Sequence, residues 1–192
     1  MYPVWQSIAV IKGFAMVNKP VTSLGLTLVE LVATVCIAGV LAGVAIPGFM
    51  NVIRDNRTTS VANQLVTALA YTRSEAIKRG LQVTMKHKGT TAQVWDNGWD
   101  IFTDNNGNGV IDLSDELLKT YEAVPEGHTL RTGGNYASWL AFLASGNIRA
   151  SGLANDTFRL CDRSKDTAQS RAIKINKVGR VRTETGTATT CP

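Results

Sequence analysis

The sequence has few of the residues and none of the short motifs on which most enzyme sites depend. It has only two histidines, His87 and His128, and they do not form an HxxxH or HExxH pattern. No GxSxG, P-loop or GxGxxG motif is present, and the three cysteines form no CxxC pair. These patterns carry nucleophilic, metal, phosphate and redox chemistry. We therefore expect a protein that is not an enzyme and needs no cofactor, with both histidines as polar strand residues.

Aromatic residues are also scarce, at 7%, and there is neither an internal repeat nor a low-complexity segment. Repeat and fibrous architectures are therefore not expected. The 192 residues suffice for one domain with a sizeable core. The net charge of +5 suits an acidic partner such as nucleic acid or anionic lipid.

The cysteines are distributed unevenly. Cys36 lies in a long apolar run, whereas Cys161 and Cys191 lie in the C-terminal part. In an exported domain two distant cysteines indicate a disulfide, here closing a loop of about 30 residues. The alternative is two unpaired, buried thiols.

One hydrophobic run is long enough to cross a membrane. Residues 26–46 contain a single charge, Glu30. A helix of this length spans the roughly 30 Å hydrocarbon core of a bilayer. The 25 residues before it carry Lys12 and Lys19 but no acidic residue. The positive-inside rule therefore places this flank in the cytoplasm and the rest of the chain on the other, oxidising side.

Three interpretations of this run compete. A secretory signal peptide cleaved near Ala45 would have an unusually long apolar region, which Glu30 would weaken. An ordinary signal anchor gives no role to Glu30 or to Gly25. The third interpretation is a resemblance: "GLTLVEL" followed by "ATVCIAGVLAGVAIPGF" resembles the N-terminal signature of type IV pilins and type II secretion pseudopilins.

The resemblance implies a leader peptide, residues 1–25, and a membrane and polymerisation helix, residues 26–47. In this family a prepilin peptidase cuts after the glycine, here Gly25, and methylates the new N-terminus, here Leu26. The family usually has Phe at that position, so Leu26 departs from the pattern. Glu30 and Pro47 match the glutamate and the late proline of the family. A carboxylate is expensive in lipid, and the family pairs it with the N-terminal amine of a neighbouring subunit in the filament.

The helical pattern continues beyond Pro47. Apolar or small residues recur at spacings of three and four, which predicts an amphipathic second half of the helix over residues 48–80. Gly80 follows Lys78 and Arg79 and is the predicted end of the helix. The predicted buried stripe contains Val61, Leu65, Ala68, Leu69, Thr72 and Ala76.

After Gly80 the period changes to two, and Gly, Asn and Asp clusters separate short segments. We predict an antiparallel β-domain over residues 81–192, packed on the amphipathic half of the helix. The fold class is therefore α+β, and the resemblance implies a pilin fold. The predicted strands are LQVTMKHK, TAQVW, WDIFT, LLKTYE, HTLRT, WLAFL, TFRLC, RAIKIN and RVRT.

The segment "WDNGWDIFTDNNGNGVIDLSDELL" carries a second resemblance, to the GspH/FimT family of minor pilins and pseudopilins. Its acidic and amide side chains also have the spacing of a calcium loop. A strand precedes the segment where an EF-hand has a helix, and position 12 is Asp instead of Glu. The alternative is a loop whose Asn and Gly residues adopt left-handed turn conformations. The candidate ligands are Asp104, Asn106, Asn108, Asp112 and Asp115.

Basic residues concentrate near the C-terminus. Between Arg149 and Arg182 the net charge is +6, more than that of the whole chain. Alternation along RAIKIN and RVRT, with NKVG as a tight turn, predicts that Arg180 and Arg182 point outward together. Lys174 and Lys177 would extend the patch, which suits phosphates. The alternative is a solvated basic face, or one that pairs with acidic residues of a neighbouring pilin.

"GRVR", residues 179–182, also resembles the GRxR motif of FimT-like minor pilins that bind DNA during natural transformation. The resemblance implies Arg180 and Arg182 as DNA contacts. We therefore expect an inner-membrane, single-pass precursor with a periplasmic domain that joins other pilins in a pilus and binds DNA through its phosphates. The alternatives are a type II secretion pseudopilin of the H type, or a minor pilin that only primes pilus assembly.

Overall fold

The structure is a computed structural model that describes residues 25–186 and Cys191, the side chain of Pro47 aside. The predicted leader, apart from Gly25, lies outside the described residues. The chain divides into two compact units, Met1–Val44 and Ala45–Pro192. Helix α1 covers Leu28–Arg79, so the prediction that the helix continues past Pro47 is confirmed.

The part of α1 in the first unit is apolar and exposed. Its large side chains, from Leu28 to Val44, are more than half exposed. The helix contains one segment that is long and apolar enough to cross a membrane, judged by length and composition. Exposing so many apolar side chains to water is unfavourable, so lipid or another apolar surface must cover this part of the helix.

The part of α1 in the second unit buries one stripe. All six residues predicted to form this stripe are buried, and Thr58 and Ala62 extend it. The helix ends at Arg79, where Gly80 takes a left-handed conformation with φ of 70° and donates its N–H to the Ala76 carbonyl. The spacing of apolar residues was sufficient to predict this stripe, because burial of a helix face follows the 3.6-residue period.

In the described part of the chain nine strands follow the helix, and all their pairings are antiparallel. Eight of the nine predicted segments overlap one of them. The strands are β1 (Val83–His87), β2 (Trp99–Thr103), β3 (Leu117–Tyr121), β4 (Thr129–Arg131), β5 (Trp139–Phe142), β6 (Ile148–Ala150), β7 (Asp156–Cys161), β8 (Arg171–Ile175) and β9 (Val181–Thr185).

The predicted strand TAQVW was wrong. Gln93 has a φ of 66°, which breaks the extended conformation, and only Val94 forms an isolated bridge, to Arg131. Trp95 is fully buried all the same, and its Nε1 donates to the Tyr136 carbonyl at 3.0 Å. The segment therefore supplies a core side chain without being a strand. The prediction also missed β6, a three-residue strand too short to show a period.

The strands form two sheets, a division that the prediction of an antiparallel domain left open. One has the order β3-β2-β1-β5-β6 and the other the order β4-β7-β8-β9. Side chains from both sheets join the helix stripe in one core, which includes Trp99, Leu140, Phe158 and Ile173. The α+β class is confirmed, and β9 forms one edge of the second sheet, next to β8.

Candidate nucleic-acid interface

The hairpin of β8 and β9 carries the predicted basic residues. The Gly179 N–H donates to the Asn176 carbonyl at 2.9 Å, which closes the predicted tight turn. Ile173 and Ile175 are buried while Lys174 between them is exposed. Across the hairpin, Lys174 faces Arg182 and Ile175 faces Val181. Both arginines of "GRVR" are exposed: Arg182 lies on β9, and Arg180 directly precedes this strand.

Arg180 and Arg182 are exposed on either side of the half-buried Val181. Among the residues that the structure describes, neither arginine forms a salt bridge with an acidic side chain. The Arg180 main-chain N–H donates to the Asn176 side-chain oxygen at 2.8 Å. The main chain is therefore held at this point, while both guanidinium groups are available to an anion.

Lys174 and Lys177 differ from the two arginines in the contacts that they make. The Lys174 ammonium donates to Glu184 at 2.6 Å, so part of its charge is already neutralised. Alternation predicted that Lys174 points outward but did not predict this partner. Lys177 is exposed in the turn, and its carbonyl accepts the Ile148 N–H at 3.1 Å.

A shallow surface pocket joins Lys174, Arg180 and Arg182. Asn155, Thr157 and Asn176 add neutral polar groups to its lining. Sequence reasoning missed these neutral residues. Thr157 reaches the pocket through the pairing of β7 with β8, and Asn155 directly precedes β7. Guanidinium and ammonium groups beside amides and a hydroxyl form a surface suited to a phosphate.

One acidic side chain, Asp156, also lines this pocket. Its carboxylate accepts main-chain N–H groups of Gly133, Asn135, Tyr136 and Thr157, at 2.7–3.1 Å. These four donors satisfy the carboxylate oxygens within the domain but do not remove their negative charge. The pocket is net positive because Lys174, Arg180 and Arg182 outnumber this one acid.

The remaining basic residues of the C-terminal segment do not form one continuous patch. Arg171 is buried and pairs with Asp55 on α1. Arg163 pairs with Glu126 at 2.9 Å. Arg159 is exposed on β7, the strand that pairs with β8. It therefore adds a positive charge beside the hairpin. The net charge of +6 between Arg149 and Arg182 is thus spread over separate parts of the domain surface and core.

The predicted cleavage and assembly residues lie at the start of α1 and within it. Gly25 and Leu26 precede the helix and are exposed. Thr27 caps the helix, because its Oγ1 accepts the Glu30 main-chain N–H at 3.2 Å. A threonine three residues before a glutamate is a capping-box pattern that sequence reasoning overlooked. Glu30 itself is exposed, and the main chain at Pro47 is helical.

The loop after β2 is held in its conformation by hydrogen bonds to its acidic and amide side chains. Asp104 is buried, and its carboxylate accepts hydrogen bonds from Gln82, Thr84 and the Asn108 and Gly109 N–H groups, at 2.7–3.0 Å. Four donors already occupy oxygens that a cation would need.

The other candidate ligands are engaged in the same way. Asn106 and Asn108 each accept a main-chain N–H, and so do Asp112 and Asp115. Within residues 25–186 no three acidic, His or Cys side chains group as a metal site. These contacts favour the turn interpretation; calcium binding stays a prediction that calorimetry with Ca²⁺ would test.

The predicted disulfide between Cys161 and Cys191 is present. Their Cα atoms are 5.7 Å apart, and the bond closes a loop with a sequence separation of 30. Because Cys161 ends β7, the bond fastens the C-terminal tail beside the sheet that carries the hairpin. Cys36 is a free, exposed cysteine on α1.

A long N-terminal helix with an apolar first part, and antiparallel sheets packed on its later part, define a pilin-fold protein. The family model described as "Type II transport protein GspH" matches residues 61–179, and the chain belongs to this family. Pilin-family proteins are structural, which confirms the prediction that the chain is not an enzyme, and they associate with other pilins in a filament.

Two crystal structures of the Pseudomonas aeruginosa (strain PAO1) type IV minor pilin FimU have the same fold. In space group P21 the TM-score is 0.56 at 22% identity, covering 69% of this chain and 92% of FimU. In space group P65 the TM-score is 0.53 at 22% identity, covering 68% and 94%. No curated protein sequence gives a significant match.

Proposed function

We propose that this protein is a minor type IV pilin that binds DNA for natural transformation. It is cut by a prepilin peptidase between Gly25 and Leu26 and methylated at Leu26. Before assembly it resides in the inner membrane as a single-pass protein with its globular domain in the periplasm. It then joins major and minor pilins in a pilus. Glu30 and Pro47 serve that assembly.

The observation that supports DNA binding most is the state of Arg180 and Arg182. Both are exposed on the β8–β9 hairpin, two residues apart, without an ion pair among residues 25–186. Positions two apart on a strand are about 6–7 Å from each other. Two guanidinium groups at that spacing reach neighbouring phosphates or converge on one. Lys177 at the turn and Lys174, once released from Glu184, extend the contact.

Contacts of this kind read phosphates and carry no base information. Within the described residues, the large aromatic rings Trp95, Trp99 and Tyr136 are buried in the core and do not line the pocket. Binding is therefore sequence-independent, weak and sensitive to salt, because each phosphate contact releases counterions from the duplex.

The test is a titration of labelled duplex DNA with the full chain in detergent, across a range of salt concentrations. Arg180→Ala with Arg182→Ala should weaken binding at least tenfold and flatten the log-affinity against log-salt slope by about 0.9 per lost phosphate contact. A matched control, Arg54→Ala with Arg57→Ala, removes two exposed arginines from α1. Unchanged affinity in the hairpin variant would refute the DNA role.

A second candidate function is that of a type II secretion pseudopilin, and the description of the matched family favours it. A secretion pseudopilin has no use for outward, unpaired arginines on the hairpin. The hairpin variant should therefore reduce transformation in cells while leaving protein secretion and pilus number unchanged. Loss of secretion on deleting the gene would support the second candidate, and loss of pili alone would support a protein that only primes assembly.

A further inference from the structure

Arg73 on α1 contacts the tip of the basic hairpin. Its Nη1 donates to the Gly179 carbonyl at 3.1 Å, across 106 residues of chain. The side chain is half-buried. Arg73, Gly179 and Arg180 line one surface pocket with Phe142 and Val181. The glycine that accepts this hydrogen bond directly precedes the first arginine of "GRVR".

The same guanidinium also packs on a second turn, between β5 and β6. A Cβ atom at Gly146 would lie 3.1 Å from both Nε and Nη2 of Arg73. Close by, the Ile148 N–H of β6 donates to the Lys177 carbonyl at 3.1 Å. The tips of two hairpins, one from each sheet, are thus joined around Arg73.

Gly179 fits this place because it has no side chain. Its φ is 75°, and an added Cβ would lie 2.7 Å from the Gly146 carbonyl oxygen and 2.8 Å from Cε1 of Phe142. Both distances are too short for a real side chain. The turn can therefore approach Gly146 and Arg73 only with glycine, and this close approach sets the direction in which Arg180 and Arg182 leave the domain.

We propose that Arg73 is a positioning residue for the DNA site, an inference that rests on the proposed function. It holds the tip of the β8–β9 hairpin so that Arg180 and Arg182 project together before DNA arrives. A fixed main chain leaves less conformational freedom to lose on binding, which raises affinity without a further contact. Arg73 acts through Gly179 and not through phosphate.

The test compares Arg73→Gln and Arg73→Lys with the wild type, using the full chain in detergent. The lysine variant keeps the charge but lacks the fork that spans Gly179 and Gly146. The readouts are duplex DNA affinity at several salt concentrations and amide hydrogen exchange of residues 176–182. Arg57→Gln, which removes one exposed arginine from the same helix, is the matched control.

We expect both Arg73 variants to weaken DNA binding about three- to tenfold, because the hairpin tip must then be ordered when DNA binds. Amide exchange in the hairpin tip should quicken, while the salt slope and the circular dichroism spectrum stay those of the wild type. Wild-type affinity in Arg73→Lys, with a flatter salt slope in Arg73→Gln, would overturn the proposal, because Arg73 would then act as a phosphate-binding charge.

Unchanged exchange in both variants would also overturn it. If the wild type binds no DNA, the proposed function fails, and the exchange measurement still decides by itself whether Arg73 fixes the hairpin tip. The two proposals can therefore fail separately.

Discussion

At the scale of single residues, the basic side chains near the C-terminus differ in what they already contact. Arg171 is buried against Asp55, and Lys174 donates to Glu184. Arg180 and Arg182 have no such partner among residues 25–186. A charge held by a partner must lose that contact before it binds phosphate, so counting charges along the sequence overstates the surface that DNA meets.

Glu184 is expected to weaken DNA binding by holding Lys174. Glu184→Gln removes the carboxylate but keeps the shape of the side chain. Because Lys174 is exposed and Glu184 is only half-buried, the energy of this ion pair is at most about 1 kcal/mol. Affinity for duplex DNA should therefore rise about two- to fivefold. The salt slope should steepen by up to about 0.9.

Glu122→Gln is the matched control, since Glu122 is exposed and, like Glu184, pairs with a lysine, here Lys88. An equal gain in both variants would show that only the overall charge of the domain matters.

His87 should make the stability of the domain depend on pH. It is buried on β1, and burial, assisted by the nearby Lys86 charge, lowers the pKa of its imidazole. An unfolded histidine titrates near 6.5, so below about pH 6.5 the unfolded state binds more protons. As the pH is lowered below about 6.5, the free energy of unfolding must therefore decrease, until the pH reaches the lowered pKa of the folded state.

Urea denaturation at pH 7.5 and pH 5, followed by tryptophan fluorescence, measures this loss. His87→Gln should reduce the difference between the two pH values. An unchanged difference would assign the acid sensitivity to other groups.

At the scale of elements, the basic hairpin depends on neighbours from distant parts of the chain. β8 pairs with β7 on one side and β9 on the other. Arg171 at its start contacts Asp55 and Thr59 on α1, and Arg73 supports the turn at its end. The hairpin is therefore fixed to the helix at both ends, as a surface that presents charges in a set geometry needs.

The disulfide should stabilise this part of the domain. Replacing Cys161 and Cys191 with serine frees a loop of about 30 residues and should lower the free energy of unfolding by about 3–4 kcal/mol on the chain-entropy model. Chemical denaturation of the full chain in detergent measures the loss.

Cys36→Ser is the matched control and should leave stability unchanged, because that thiol is exposed and unpaired. A double variant as stable as the wild type would mean that the tail is held by other contacts.

At the scale of the whole molecule, the chain has an apolar, exposed first part of α1 and a well-packed globular unit. Apolar side chains on that helix segment need lipid or other helices around them. Within this segment Glu30 is the one acidic residue of residues 26–46. Thr27 and Glu30 begin the helix in a capping arrangement, and a carboxylate also suits the positive end of the helix dipole.

Glu30→Ala should leave membrane insertion intact and impair incorporation into filaments, since the carboxylate that would pair with a neighbour's N-terminal amine is gone. Insertion is measured by membrane fractionation and incorporation by immunoblotting of sheared pili.

Thr27→Ala serves as the control because it removes the helix cap and keeps the carboxylate. Normal incorporation of Glu30→Ala would refute the pairing role. Equal defects in both variants would show that Glu30 matters only for starting the helix.

Much of the fold was predictable from local patterns. The buried stripe of α1, the stop at Gly80 and eight of the nine strands within residues 25–186 follow from period and turn residues, which act over a few positions. TAQVW failed because Gln93 takes a left-handed conformation that no local signal marked. β6 was missed because three residues are too few to show alternation.

The candidate site was predictable only in part. That Arg180 and Arg182 point outward follows from strand alternation around Val181. That Lys174 is paired and Arg171 is buried does not follow, because Glu184 and Asp55 reach them from another strand and from the helix.

The sequence by itself therefore determined which residues form helix and strands, which helix face is buried and which arginines are outward, because these depend on neighbours along the chain. Only the tertiary structure decided the division into two sheets, the polar neighbours of the basic pocket and the contact of Arg73 with Gly179. These depend on residues that are distant in sequence, and their meeting is fixed by packing of the whole core, which no local pattern encodes.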